Sequence, residues 1–295
     1  MNNYIPSPLN YVGNKYKLLA DILPLFPPNA TNIVEIFAGS AMVSINSNCK
    51  RIVLNDYSKH AISLLEYFYN NSYERIIINT EKIIKEYGFT DTYKNGYELY
   101  PTEKNEGLSR YNKEPYFNLR KDYNKTPSVE KLFVLILFGF NHFLRFNSKG
   151  EFNVPVGKVD FSKIAREKTK KFVKKIQEKE IVFYNKDFRD KDLYKNLERD
   201  TIFYCDPPYL ITEAPYNSIW NEQCEKDLLQ VLDNLNEKGH KFLLSNVFEN
   251  NGKKNVILKE WSNKYNVVYL NKDYKTANYR RKNNGNTVEV LIKNF

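Results

Sequence analysis

The chain has 295 residues, 42% hydrophobic and 27% charged, enough for one large domain or a domain with a sizeable insertion and too apolar for wholesale disorder. Three scattered cysteines, Cys49, Cys205 and Cys224, exclude a disulfide framework and a zinc site; with no membrane-length apolar run and no signal-peptide pattern at the start, a cytoplasmic protein is expected. Its 45 Lys and Arg against 35 Asp and Glu give +10, and 15% of residues are aromatic, which suits nucleic acid, although a Lys-rich surface kept for solubility gives the same balance.

In chain order, a loop at residues 8–15 (PLNYVGNK) precedes a short helical pattern from Tyr16 to Leu25. Asn32 to Ile36 then predicts a buried strand, Phe37-Ala38-Gly39-Ser40 a tight turn, and Ala41 to Ile45 the start of a helix. Gly39 lets a ligand approach the backbone, and Glu35 puts a carboxylate at the strand's end. Arg51 to Leu54 is a second strand ending in Asn55-Asp56, where an acid is placed to bind ribose hydroxyls. A single glycine in the first turn fits a pyrophosphate poorly and a phosphate-free nucleoside such as S-adenosylmethionine better.

Residues 58–88 and 112–143 carry helical patterning, and Lys131 to Phe143 is apolar enough for a buried helix. Residues 141–157 (NHFLRFNSKGEFNVPVG) predict a hairpin with Arg145 and Lys149 among phenylalanines; it suits a DNA groove, or else is a surface hairpin with an aromatic underside. The basic helix Lys163 to Lys179 reads mainly as a solvated face. Strand Glu180 to Tyr184 leads to Asp187-Phe188, and strand Thr201 to Cys205 to Asp206-Pro207-Pro208-Tyr209. Neither proline donates a backbone hydrogen bond, so the ladder stops with a carboxylate and an aromatic ring at the strand's carboxyl end. Beyond lie a loop with Tyr216 and Trp220, a helix Glu222 to Glu237, a strand His240 to Leu244, a helix near Lys253 to Trp261, and strands Val267 to Leu270 and Thr287 to Ile292. The β/α alternation before residue 70 and after residue 180 predicts an α/β sheet interrupted by an inserted module.

These motifs in this order resemble the Dam-type (D12 class) DNA adenine-N6 methyltransferases over nearly the full length. The resemblance rests on Tyr11-Val12-Gly13-Asn14-Lys15, Glu35 to Gly39, Asn55-Asp56, Phe140-Asn141 through Pro155-Val156-Gly157, Asp187-Phe188 and the tetrad 206–209. It implies a Rossmann-like S-adenosylmethionine-dependent methyltransferase sheet at residues 1–60 and 165–295. Residues 61–164 would be a mainly helical target-recognition insertion bearing a β-hairpin. Cofactor contacts are implied for Tyr11, Lys15, Glu35, Phe37, Ala38, Gly39, Asp56, Asp187, Phe188 and Asp206, with Asp187 on the adenine amino group and Phe188 on its face. Asp206, Pro207, Pro208 and Tyr209 would be catalytic on a flipped adenine, without a metal. Asn10, Phe140, Asn141, Phe143, Arg145, Asn147, Lys149 and Pro155 would meet double-stranded DNA.

The chain departs from the family pattern at Ile36 (commonly Pro), Ala41 (Gly), Asn10 (Lys in some members), Phe143 (Leu) and Val159 (Tyr), which leaves the target sequence open, GATC included. A cognate restriction endonuclease is a further partner the resemblance allows. The alternatives are a cytosine-N4 or RNA amino methyltransferase, and a non-catalytic regulator that binds cofactor and DNA.

Overall fold

In a computed structural model describing residues 4–11, 13–103, 105–195, 197–212, 220–270 and 287–295, one sheet organises the chain. Its strands are β1 (Asn32–Glu35), β2 (Arg51–Asn55), β3 (Glu180–Tyr184), β4 (Thr201–Cys205), β5 (Lys241–Asn250), β6 (Lys253–Lys254), β7 (Asn266–Leu270) and β8 (Thr287–Lys293). Val12 and Tyr216, singled out above, lie outside the described residues. The chain divides into two compact units, Leu18–Ala38 with Ser47–Tyr57 and Ile181–Phe295, which carries the sheet, and Met1–Lys17 with Gly39–Asn46 and Ser58–Glu180, which is mainly helical.

The sheet runs β3-β2-β1-β4-β5-β8-β7, with β6 beside β5. β1 is parallel to both β2 and β4, and β4 is parallel to β5; β8 returns antiparallel between β5 and β7. Strand order therefore reverses at β1, and in such sheets the crevice at the carboxyl ends beside the reversal receives ligands. β4 (TIFYC) is buried at every position, as a central parallel strand without polar alternation must be. Helices α9 (Glu222–Glu237) and α10 (Val256–Ser262) bury Leu228, Leu232 and Leu258 against Val34, Phe203, Phe242 and Leu244. α1 (Leu19–Ile22), in the same unit, buries Leu19 and Ile22.

β5 runs six residues past the strand expected to end at Leu244. Local pattern hid this because Ser245 and Asn246 are polar; both are buried, Ser245 sharing a 2.8 Å hydrogen bond with the Tyr204 hydroxyl and Asn246 donating to Glu225 at 3.1 Å. Pairing with β8, through an irregularity between Val247 and Glu249, carries the strand to Asn250.

The helical unit holds α2 (Met42–Asn46), α3 (Lys59–Asn70), α4 (Tyr73–Tyr87), α5 (Thr92–Asn95), α6 (Ser109–Lys125), α7 (Val129–Phe138) and α8 (Lys163–Gln177). Ser58, Ser72, Ser128 and Ser162 cap α3, α4, α7 and α8, each accepting the N–H three residues on and satisfying a donor the helix leaves open. The helical block at 58–88 is two helices, because Asn71 is extended and Ser72 starts the second. Phe68 packs edge-on to Phe133 and Phe172 at 5.1 and 5.7 Å, joining α3, α7 and α8.

α7 stops at Phe138, short of the expected Phe143. Gly139 turns extended where a side chain would meet the Leu135 carbonyl at 2.6 Å and the Tyr116 hydroxyl at 2.9 Å, and the Phe140 N–H goes to the Pro155 carbonyl. Residues 141–157 form no regular ladder; their arms meet at the isolated antiparallel pairs Gly139–Val156 and Phe146–Phe152. Asn141 and His142 have φ of 52° and 54°, and Pro155 has no N–H to give, so continuous pairing is interrupted.

Ala41 also sits in the left-handed region, at φ 54°, and is fully buried. Glycine there would remove roughly 1–2 kcal/mol of strain. It would also forfeit about 0.8 kcal/mol of methyl burial and about 0.4–1 kcal/mol through the freer unfolded chain. Ala41→Gly is therefore expected to change stability by less than about 1 kcal/mol in denaturant melts, whereas Ala41→Val, β-branched at positive φ in a packed site, should cost about 3 kcal/mol.

Candidate active site

In the sheet unit, the expected site residues gather at the carboxyl ends of β1, β2, β3 and β4. Glu35 pairs laterally with Leu54 on β2 and Tyr204 on β4, so Asp56 and Asp206 each stand two residues further along, on opposite sides of β1. Glu35 is 3% exposed and Asp56 8% exposed, burial that an acid at a strand's end tolerates only with cationic or N–H partners.

Asn55 holds this edge together. Its side chain donates to the Ile36 carbonyl at 3.0 Å and the Lys186 carbonyl at 3.1 Å, and accepts the Lys186 N–H at 3.0 Å. Its own carbonyl receives the Ala38 N–H at 2.8 Å. One amide thus fixes the turn after β1 and the loop after β3. Asn185 adds a second tie, donating to the carbonyls of Asp56 and Tyr57 at 2.8 and 3.0 Å. Sequence reasoning missed both roles. The available signal was an asparagine closing an apolar strand.

Phe37, Phe188 and Trp220 form an aromatic cluster with centroids 5.4–5.6 Å apart. The Trp220 indole donates to Glu225 at 2.8 Å, and Glu225 also accepts from Asn246 and Asn255. Burial pushes the Glu225 carboxyl up, opposed by those three N–H donors. Glu225 was not foreseen; it lies three residues before Leu228 on the buried face of α9.

Beyond β4 the backbone leaves the ladder at Asp206. Asp206 is half-buried, Pro207 buried, and the Tyr209 hydroxyl donates to Asp206 Oδ1 at 3.0 Å. Burial, then the charge of Asp206, pushes the Tyr209 phenol far above its ordinary range, so it remains a donor. Cys205 is fully buried, and burial followed by Asp206 and Glu35 drives its thiol far up, which makes it a packing residue. Tyr209→Phe keeps the ring and removes the donor that fixes the carboxylate. Losing one hydrogen bond to a charged group is expected to change the melting temperature by no more than a few degrees, which a thermal melt of Tyr209→Phe checks.

The other residues expected at the site lie in the helical unit. The Tyr11 ring lies where a Cβ added at Gly39 would come within 3.2 Å, so that glycine, at φ 50°, is required on two counts. Lys15 is 5% exposed and its ammonium donates to the Gly13 carbonyl. Asn10 donates to the Asn141 carbonyl at 2.7 Å, clamping the turn where α7 has ended. Arg145 is held across the 145–153 segment, Nε to Asn153 Oδ1 at 2.8 Å and Nη2 to the Asn153 carbonyl at 3.0 Å. Asn147 is engaged in its own turn, its Oδ1 accepting the N–H groups of Lys149 and Glu151. Lys149 and Phe140 are exposed, Phe143 is half-buried, and Pro155 is exposed with its carbonyl taken by Phe140. Beneath them His60 stacks on Phe146 at 3.9 Å; burial, then Lys59, lowers it to about 4, leaving the ring neutral at pH 7.

A mostly parallel α/β sheet with acids at the carboxyl ends of four neighbouring strands, β3, β2, β1 and β4, fits a methyltransferase fold. The chain belongs to the D12 class N6 adenine-specific DNA methyltransferase family, whose model matches residues 11–278. It is 37% identical over 302 residues to the type II methyltransferase M.FokI of Planomicrobium okeanokoites, spanning 100% of this chain and 43% of that protein. It is 38% identical over 302 residues to modification methylase StsI of Streptococcus sanguinis, covering 99% of this chain and 43% of StsI. A DNA adenine methylase of Escherichia coli (strain K12) is 28% identical over 249 residues, 81% of this chain and 79% of its own length. The chain thus spans less than half the length of M.FokI and StsI.

Proposed function

We propose that this chain transfers a methyl group from S-adenosylmethionine to N6 of an adenine flipped out of double-stranded DNA at a specific site. The observation that carries this is the tetrad Asp206 to Tyr209, leaving the carboxyl end of central strand β4 with Tyr209 bonded to Asp206.

The acids at the sheet edge fit the donor. Glu35, Asp56 and Asp187 repel phosphates and suit a ligand with an ammonium, ribose hydroxyls and an amino-bearing ring. By family resemblance Tyr11, Lys15, Phe37, Ala38, Gly39 and Phe188 share in cofactor binding. When bound, S-adenosylmethionine supplies a methyl group on a positively charged sulfur.

The chain's own task is to make an amide-like amine nucleophilic. The N6 lone pair is delocalised into the ring until the nitrogen is drawn towards tetrahedral geometry. Asp206 accepts one N6 hydrogen and the Pro207 carbonyl the other, and both bonds strengthen as positive charge grows on nitrogen. With the cofactor bound, N6 would take the methyl group from the sulfonium, leaving a neutral thioether, and the proton it sheds would pass through its hydrogen bond to Asp206 and on to water. Tyr209 stacks on the flipped base, offsetting part of the few kcal/mol that unstacking costs.

Residues 61–164 are assigned to target recognition and residues 1–60 with 165–295 to cofactor binding and catalysis. The recognition surface is Asn10, Phe140, Asn141, Phe143, Arg145, Asn147, Lys149 and Pro155, with residues 145–153 entering the groove as a hairpin. The relatives named as modification enzymes make a cognate restriction endonuclease a fitting companion. A cytoplasmic location fits three buried cysteines that form no disulfide.

The test is incubation with double-stranded DNA and S-adenosylmethionine carrying a labelled methyl, followed by digestion to nucleosides. Label in N6-methyldeoxyadenosine is expected. Label in N4-methylcytosine, or transfer only to RNA, would replace the proposed acceptor, and binding of both ligands without transfer would make the chain a regulator.

A further inference from the structure

Phe188, assigned above to the adenine of the cofactor, is only 6% exposed. Phe37 and Trp220 pack on it, and a third flat group, the Arg189 guanidinium, lies with its central carbon 4.6 Å from the ring centroid. The same guanidinium donates through Nη1 to both oxygens of Asp187, at 3.2 and 3.0 Å. Nε reaches Asp227 Oδ2 on α9 at 2.7 Å, and Nη2 points to Cys224 Sγ at 3.1 Å.

An adenine ring and a guanidinium share two properties, a flat face that stacks on aromatics and an edge of N–H donors. Asp187 and Phe188 are the pair to which the proposed function gives the adenine edge and face. Arg189 offers each of them what the base would.

The geometry points to Arg189 as the resident occupant of the adenine subsite, a side chain that S-adenosylmethionine displaces on binding and that thereby sets cofactor affinity. This inference rests on the function proposed above. Asp187 and Arg189 are 43% and 41% exposed, so their pairing is screened by salt and cheap enough to give way. Asp227 holds the guanidinium from the α9 side and gives it somewhere to remain once Asp187 is taken. If Arg189 instead only ties the loop after β3 to α9, removing it loosens that loop and weakens binding. The two accounts differ in sign.

Calorimetric titration of S-adenosylhomocysteine into the full chain and into Arg189→Ala and Arg189→Gln decides between them. Arg189→Ala is expected to bind about three- to tenfold more tightly than the parent, with Arg189→Gln, still planar but uncharged, between the two. Raising salt from about 50 to about 500 mM should tighten binding by the parent and leave Arg189→Ala unchanged. Equal or weaker binding by both variants, each melting as the parent does, would overturn the assignment. Should Arg189→Ala melt early, Arg189→Gln alone decides, and no gain in it counts as refutation. Failure of the parent to bind the ligand at all would instead overturn the proposed function.

Discussion

Asp206→Asn is expected to lower the methyl-transfer rate by about 10²–10³-fold, the usual cost of removing one preorganised electrostatic partner from a developing charge. The amide keeps the shape of the carboxylate but offers one oxygen and an NH₂ that opposes an amine gaining positive charge. The side chain is half-buried at a strand's end, outside the apolar core, so the fold should tolerate the change. Single-turnover kinetics beside a thermal melt check both parts. An unchanged rate would remove Asp206 from the mechanism, and an early melt would call for Asp206→Ser as a second probe.

Arg145→Ala should act on target choice. A bidentate arginine contributes about 1–3 kcal/mol of discrimination at one base pair, so the ratio of kcat/KM between the best site and its single-base variants should fall about 5- to 150-fold. Asn153 takes Nε and Nη2, which fixes the plane of the guanidinium before any base arrives. S-adenosylhomocysteine affinity should not move. Equal losses in cofactor binding and discrimination would mean that Arg145 supports the fold of this segment.

The contrast between these two residues shows what the sequence could reveal. The strands β1, β2 and β4 were legible because a buried parallel strand writes itself as a continuous apolar run, and the acids closing those runs are what the proposed ligand edge rests on. Asn55, Glu225 and Asn153 were not legible. Asn55 works through hydrogen bonds to Ile36 and Lys186 and Glu225 through bonds to Asn246 and Asn255, partners far away in the chain, and Asn153 through its hold on Arg145, pairings that an apolar pattern does not name. The end of α7 was hidden for a related reason. Gly139 is fixed by the approach of Tyr116 and Leu135 and by pairing with Val156, while the apolar pattern runs on through Phe143. The departures at Asn10 and Ala41 acquire local meaning. Asn10 clamps the Asn141 carbonyl, and Ala41 bears a left-handed backbone at a cost its buried methyl offsets.

In the proposed function the tetrad at β4 is the methyl-acceptor site for adenine in a defined sequence. Single-base mapping of plasmid DNA after incubation with S-adenosylmethionine, with parent and Asp206→Asn side by side, tests it most directly. Modified adenines at one recurring sequence with the parent, and almost none with the variant, are the predicted result. Modification scattered over unrelated sequences, modified cytosines, or an undiminished pattern with the variant would contradict it.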